Sequence, residues 1–350
     1  MTSMNPRSSR LIREAVLWNI FWKEQSPAME VAKKFGVTRQ AVQLHLRQLT
    51  RERKITGDGA ARWRRYRLRT LFRNEKTFDV EEDFNEDRVW EKFVRPGMED
   101  LDEAARDIAH YGTTEMINNV IDHSGAATVK VAVERSAIAC TIIVSDNGVG
   151  MFQKISAALK LADPREALLD LSKGKFTTDP RRHTGEGIFF TSRSFDRFTI
   201  ESFGLNFTRS TLIDDWSVAE EKRRQRGTKI IMSLLLPPQR RLVDVFTKFS
   251  SGPEDYRFAR TRVPLKLAAV TDESLVSRSS AKRVLARIET FDEVLIDFAG
   301  IKSIGQAFAD EIFRVFSREH PKVQLIPINA NEQITSMIRR AQSAAEEIQG

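Results

Sequence analysis

Glu115 and Asn119 stand four residues apart in a stretch that reads as helix, which sets a carboxylate and a carboxamide on one face, one turn apart. An amide oxygen is a hard ligand suited to Mg²⁺, whose other octahedral positions go to waters and phosphate oxygens. A neighbouring carboxylate can orient or deprotonate a water for attack on a terminal phosphate. The pair alone fits a solvated helix face equally well, and three further segments weigh against that. A buried Asp146, followed by Asn-Gly-Val-Gly150, can accept a hydrogen bond from adenine's exocyclic amino group, where guanine presents a carbonyl. Gly148 and Gly150 let the backbone approach a base closely, although Asp-Asn-Gly is also a common turn sequence. In His183-Thr-Gly-Glu-Gly187, Gly185 and Gly187 precede an expected helix at 191–195, whose free N–H groups and dipole attract phosphate oxygens. Thr228, in a strand expected over 227–234, offers a hydroxyl to Asp146 or, through a water, to the base. The set suits ATP with a bound Mg²⁺.

The elements that must position these residues follow from periodicity. A helix is expected over 103–121, then a hairpin of strands at 128–133 and 137–144 that turns near Arg135 and Ser136. Residues 173–182, rich in Lys, Thr and Asp, read as a mobile lid, with Lys175, Arg181 and Arg182 either meeting phosphates or solvated as loop charges. In this order the four segments resemble the nucleotide-binding boxes of the GHKL superfamily, the gyrase, Hsp90, histidine kinase and MutL type of ATPase, over residues 95–236. The resemblance implies an α/β sandwich with Glu115 as general base, Asn119 as Mg²⁺ ligand, Asp146 as adenine contact, and Gly185 and Gly187 in the phosphate loop. It also implies that Asp122 matches an acidic position of gyrase-like members, while His123 matches an aromatic or His position of the kinases. No Gly-x-x-x-x-Gly-Lys-Ser/Thr is present, which excludes a P-loop reading. No phosphoacceptor helix hairpin precedes the segment, since His110 is followed by Tyr111 and not by an acid.

Charge separates one end from the rest. Residues 1–80 hold 18 Lys and Arg against 7 Asp and Glu, a net of +11 in a chain whose total is +8. That excess favours a polyanion partner or a solvated basic surface. Apolar residues from Leu11 to Phe21 form a helix stripe, Pro27 opens a second helix to Phe35, Gly36 permits a tight turn, and Thr38 can cap a third helix through Arg51. Residues 54–68 then fit a hairpin with a glycine turn at 57–59. The pattern over residues 8–70 resembles the winged helix-turn-helix domains of bacterial regulators. In that arrangement Thr38, Arg39, Gln40 and Gln43 reach base edges, and Arg62, Arg64 and Arg65 on the wing meet phosphates.

Beyond Pro237-Pro238, strands are expected at 263–270, 293–298 and 323–327, and helices at 277–289, 307–317 and from Asn331, a β-α alternation that implies a small sheet covered by helices. The stretch Asp297-Phe-Ala-Gly-Ile-Lys-Ser-Ile-Gly-Gln-Ala-Phe-Ala309 resembles the strand-loop-helix of STAS domains, and more closely the STAS-like domains of unknown function. Gln306 and Ala307 stand where phosphorylated antagonists carry a Ser pair, so no phosphoswitch is expected there.

The expected fold is α/β multidomain. It comprises a winged helix (1–72), a connector packing on the next domain (73–98), a GHKL α/β sandwich (99–237), a linker (238–258) and a small STAS-like α/β domain (259–350). The single Cys140, in an apolar run, excludes a disulfide framework. No apolar run nears the roughly 18 residues of a membrane span, so a cytoplasmic protein without a membrane partner is expected. Expected partners are DNA, ATP with Mg²⁺, and a second protein or a second copy bound through the C-terminal domain. The expected function is a regulator in which Mg-ATP, slowly hydrolysed or not at all, modulates DNA or partner binding. Two alternatives stay open: an anti-sigma-like Ser/Thr kinase acting on a partner protein, and a module that binds ATP without turnover.

Overall fold

The computed structural model describes residues 6–23, 27–59, 64–177, 184–211, 214–221, 225–252, 255, 257–270 and 274–346. The N-terminal unit packs helices α1 (Pro6–Lys23), α2 (Ala28–Phe35) and α3 (Arg39–Arg51) with a hairpin of β1 (Ile55–Asp58) and β2 (Arg65–Leu68). Gly36 takes the left-handed conformation after α2, and the Thr38 hydroxyl accepts from Ala41 N–H at 3.2 Å to cap α3. Ile12, Val16, Ile20, Val42, Leu46 and Tyr66 form a core of their own.

Seven strands form one antiparallel sheet in the order β3-β4-β5-β9-β6-β7-β8. They are β3 (Phe72–Asp79), β4 (Thr128–Arg135), β5 (Ala139–Asp146), β6 (Arg197–Ser202), β7 (Leu205–Ser210), β8 (Asp215–Glu220) and β9 (Thr228–Leu235). Val129, Val131 and Val133 on β4 and Ile142 and Val144 on β5 bury alternate side chains, the period-two signature of a sheet with one covered face. Helices α5 (Glu103–Asn119) and α8 (Gly187–Ser194) pack on this sheet, and α6 (Met151–Leu159) and α7 (Glu166–Lys173) lie in the connection between β5 and α8.

Residues 73–98 are more than a connector. Phe72–Asp79 pairs along its whole length with β4 as the sheet's edge strand, and α4 (Glu86–Val89) leads into turns that bury Trp90, Phe93 and Val94. The stretch read as a linker holds helix α9 (Leu242–Phe249). Its Phe246 meets Tyr111 edge-on at 5.3 Å and Phe190 at 4.6 Å, and its Phe249 meets Phe189 at 4.9 Å.

The C-terminal unit is a parallel sheet, β10 (Arg260–Pro264), β11 (Glu293–Asp297) and β12 (Gln324–Ile328), in the order β10-β11-β12. It carries the helices α10 (Leu265–Ala268), α11 (Arg278–Leu285), α12 (Gln306–Asp310), α13 (Ser317–Glu319) and α14 (Glu332–Glu346). A strand was expected over 263–270, but β10 ends at Pro264, which cannot donate to a ladder, and the chain turns helical at Leu265. No helix among the described residues is long and apolar enough to cross a membrane.

Candidate functional site

Helix α5 starts at Asp102, whose carboxylate accepts from Ala105 N–H at 2.8 Å. Ile108, Met116 and Ile117 are buried, which turns half-buried Glu115 and Asn119 toward a cavity of about 330 Å³. After Asn119 the backbone widens into a π-turn, Val120–Ser124, that ends at left-handed Gly125. This turn brings Asp122 to the cavity wall and aims the His123 carbonyl at the Lys154 ammonium, which donates to it at 2.6 Å.

Strand β5 delivers Asp146 from the opposite side. Its carboxylate is 9% exposed and accepts from Gly148 N–H at 2.8 Å. Register sets its neighbour: Ser145 faces Lys229 on β9, so Thr228 lies beside Asp146. Burial pushes the Asp146 carboxyl upward, against the backbone N–H groups of Gly148 and Thr228, which favour the anion. The Thr228 hydroxyl itself accepts from Met151 N–H at 2.8 Å, fixing the start of α6. As acceptor the hydroxyl anchors this loop and keeps its own proton to donate, while the Thr228 backbone N–H serves the Asp146 carboxylate. Asn147 is structural, its side-chain oxygen accepting from Ala127 and Thr128 N–H, each at 3.1 Å. Gly150, with φ 89°, opens α6, and Gly148 sits behind Asp146 and off the cavity wall.

Helix α8 begins at Gly187 itself, earlier than the expected 191, so its first turn faces the cavity. A Cβ on Gly187 would stand 2.0 Å from Glu115 Oε2, so any larger residue there would push the carboxylate out of this position. Glu115, Asn119, Asp122, Asp146, Gly150, Gly185, Gly187 and Thr228 all line the one cavity.

Sequence reasoning missed Lys154 and Glu186, which also line it. Lys154 sits on α6, four residues after Gly150, a signal that was readable once a helix was placed there. Glu186 precedes α8, and its charge faces Glu115. Burial first, and Glu186 second, raise the Glu115 carboxyl above the ordinary range. Burial likewise raises Glu186, opposed by Lys175 and Thr184. Val144, Ile155 and Ile230 give the cavity an apolar floor.

The lid reading changes for the described part. Lys173 is 1% exposed, and its ammonium donates to the Arg283 and Ala286 carbonyls, each at 3.1 Å, and to Asp170 at 3.3 Å. Lys175 donates to the Thr290 carbonyl at 2.8 Å and lies over the Phe291 ring. Both ammonium groups thus bind the C-terminal unit, Lys173 from a buried position and Lys175 through one exposed bond. Arg181, Arg182 and His183 lie outside the described residues.

On the N-terminal unit, Arg39, Gln40 and Gln43 line a shallow cleft on the outer face of α3, together with Leu44 and Arg47. The Thr38 oxygen is engaged as the helix cap. Arg64 and Arg65 are exposed at the hairpin, Arg64 lying 5.5 Å from the Tyr66 ring centre. Arg62 lies outside the described residues.

Residues 280–335 match the family model described as a STAS-like domain of unknown function (DUF4325). The C-terminal unit carries a STAS-like domain. Its β11 ends at Asp297, which accepts from Asn329 at 2.8 Å and from Arg262 at 2.7 Å. Lys173 and Lys175 therefore grip the STAS-like domain, at Arg283, Ala286 and Thr290. No curated protein matches the chain.

Three features of the cavity bear on whether a magnesium-bound adenine nucleotide would fit it. The Asn119 amide makes only a long contact, 3.9 Å, to the Met116 sulfur, which leaves its oxygen for a cation. Gly187 has no side chain where phosphate would approach the N–H groups of α8, and the floor near Asp146 is apolar. Glu115 and Glu186, where ionised, would repel bare phosphates, and a divalent cation would offset that charge. Among the described residues no group of three or more His, Cys, Asp or Glu could hold a metal ion by itself.

Proposed function

We propose that the chain is an ATP- and DNA-binding regulator of the GHKL type, with a winged helix-turn-helix at its N-terminus. The observation that carries this reading is the meeting of Glu115, Asn119, Asp146 and Gly187 around one cavity, from segments up to 72 residues apart in sequence. In it, Asp146 accepts the adenine amino group, Asn119 holds Mg²⁺, the start of α8 receives phosphate, and Glu115 serves as general base. Bound Mg²⁺ supplies charge neutralisation at the phosphates.

A route to DNA is available in the sheet. Asp146 closes β5 at the cavity, and Ile138, just before the other end of β5, packs into the core of the three-helix unit. Nucleotide that fixes one end of this strand thereby biases the seating of the basic unit at the other. The test is DNA binding by the full chain at one stated salt, with and without ATP and Mg²⁺. A nucleotide-dependent affinity supports the coupling, and equal affinities reject it.

A further inference from the structure

Leu44 is 60% exposed in the middle of the outward face of α3. The helix buries Val42, His45, Leu46 and Leu49 on its other side. Outward, Arg39, Gln43 and Arg47 form one row at four-residue spacing, with Gln40 and Leu44 in the next, and all five line one shallow cleft. A single exposed leucine is ordinary on a protein surface. This one packs against neither apolar core and stands among two arginines and two glutamines, a polar set suited to base edges.

Resting on the reading of residues 1–72 as a DNA-binding unit, we propose that Leu44 reads the 5-methyl group of a thymine in the major groove. Of the four base pairs only those with thymine present a methyl there, and an apolar side chain is its natural contact. Gln40, one turn before Leu44 in the same row, has the amide geometry that pairs with adenine N6 and N7. Arg39 and Arg47 flank the pair as phosphate or guanine contacts. The combination selects a step containing A·T. Uracil has no such methyl, so the same contact favours thymine over uracil by the modest worth of one methyl group.

The test uses the full chain. Duplexes are selected from a random pool, and each thymine of the selected site is replaced singly by deoxyuridine. The wild type should lose about fourfold in affinity at one position, the worth of one buried methyl, and Leu44→Ala should bind thymine and uracil duplexes alike at that position. An unchanged melting temperature for Leu44→Ala, expected for an exposed side chain, shows that the fold is kept. A selected site without thymine, a wild type indifferent to every replacement, or an undiminished uracil effect in Leu44→Ala overturns the assignment of Leu44 alone. Failure to enrich any duplex even at low salt overturns the DNA reading itself, and the proposal with it.

Discussion

The Glu115 carboxylate occupies the space where a side chain on residue 187 would begin, 2.0 Å from an ideal Cβ at Gly187. Two segments 72 residues apart in sequence thus meet with no room for a Cβ unless the carboxylate moves. Gly187→Ala should displace Glu115 and the first turn of α8 together. The carboxylate ends a flexible side chain and can swing aside, so the cost lies at the low end of overpacking, about 1 kcal/mol. Calorimetry should find a lower melting temperature and at least tenfold weaker nucleotide binding, and unchanged values for both would contradict the contact.

The Glu115 carboxyl is raised by burial and then by Glu186. A raised acid contributes stability that is fully present below its ordinary value and is lost as pH rises through the folded-state value. Glu115→Gln removes the charge, so it should melt above the wild type near pH 8. The gap should close as pH falls and the wild-type carboxyl protonates. Melting curves across that range check the sign, and a gap that widens toward acid would be the contrary result. The same variant should retain nucleotide and lose any hydrolysis.

Lys173 is fully buried, and its ammonium holds Asp170 and two carbonyls of the STAS-like domain. Lys173→Met leaves those carbonyls without their donor, while Arg287 still pairs with Asp170 at 3.0 Å. A buried carbonyl left without its donor costs about 1–3 kcal/mol. Chemical denaturation should show that loss, and an unaltered midpoint would mean that the ammonium is replaceable.

Arg65 is exposed on β2, where it was read as a phosphate contact. Arg65→Ala should weaken DNA binding about equally for all sequences and lower the slope of affinity against salt by about one unit. A sequence-dependent loss would place Arg65 on a base edge.

Much of the cavity was legible because its parts are local. The Glu115–Asn119 spacing needs only a helix, Asp146 only the end of an apolar strand, and both elements form where periodicity sets them. β3 was hidden because an edge strand with one covered face carries mostly polar residues: only Phe72 and Phe78 mark its apolar contacts. Lys173 and Lys175 were misread for a different reason. A lysine's local sequence says that it is solvated, and only the distant carbonyls of Arg283, Ala286 and Thr290 make burial tolerable. The amphipathic piece that forms α9 was legible between its flanking Pro and Gly residues, but not its partners: Phe246 and Phe249 pack against Phe190 and Phe189, far back in the sequence.

The central claim is that this cavity holds a magnesium-bound adenine nucleotide. Isothermal titration of the full chain with ATP and Mg²⁺, alongside GTP and the Asp146→Ala variant, tests it most directly. Saturable heat with ATP, little with GTP and none in the variant is the predicted result. An absence of heat from the wild type at millimolar ATP, or equal heat from ATP and GTP, would contradict it.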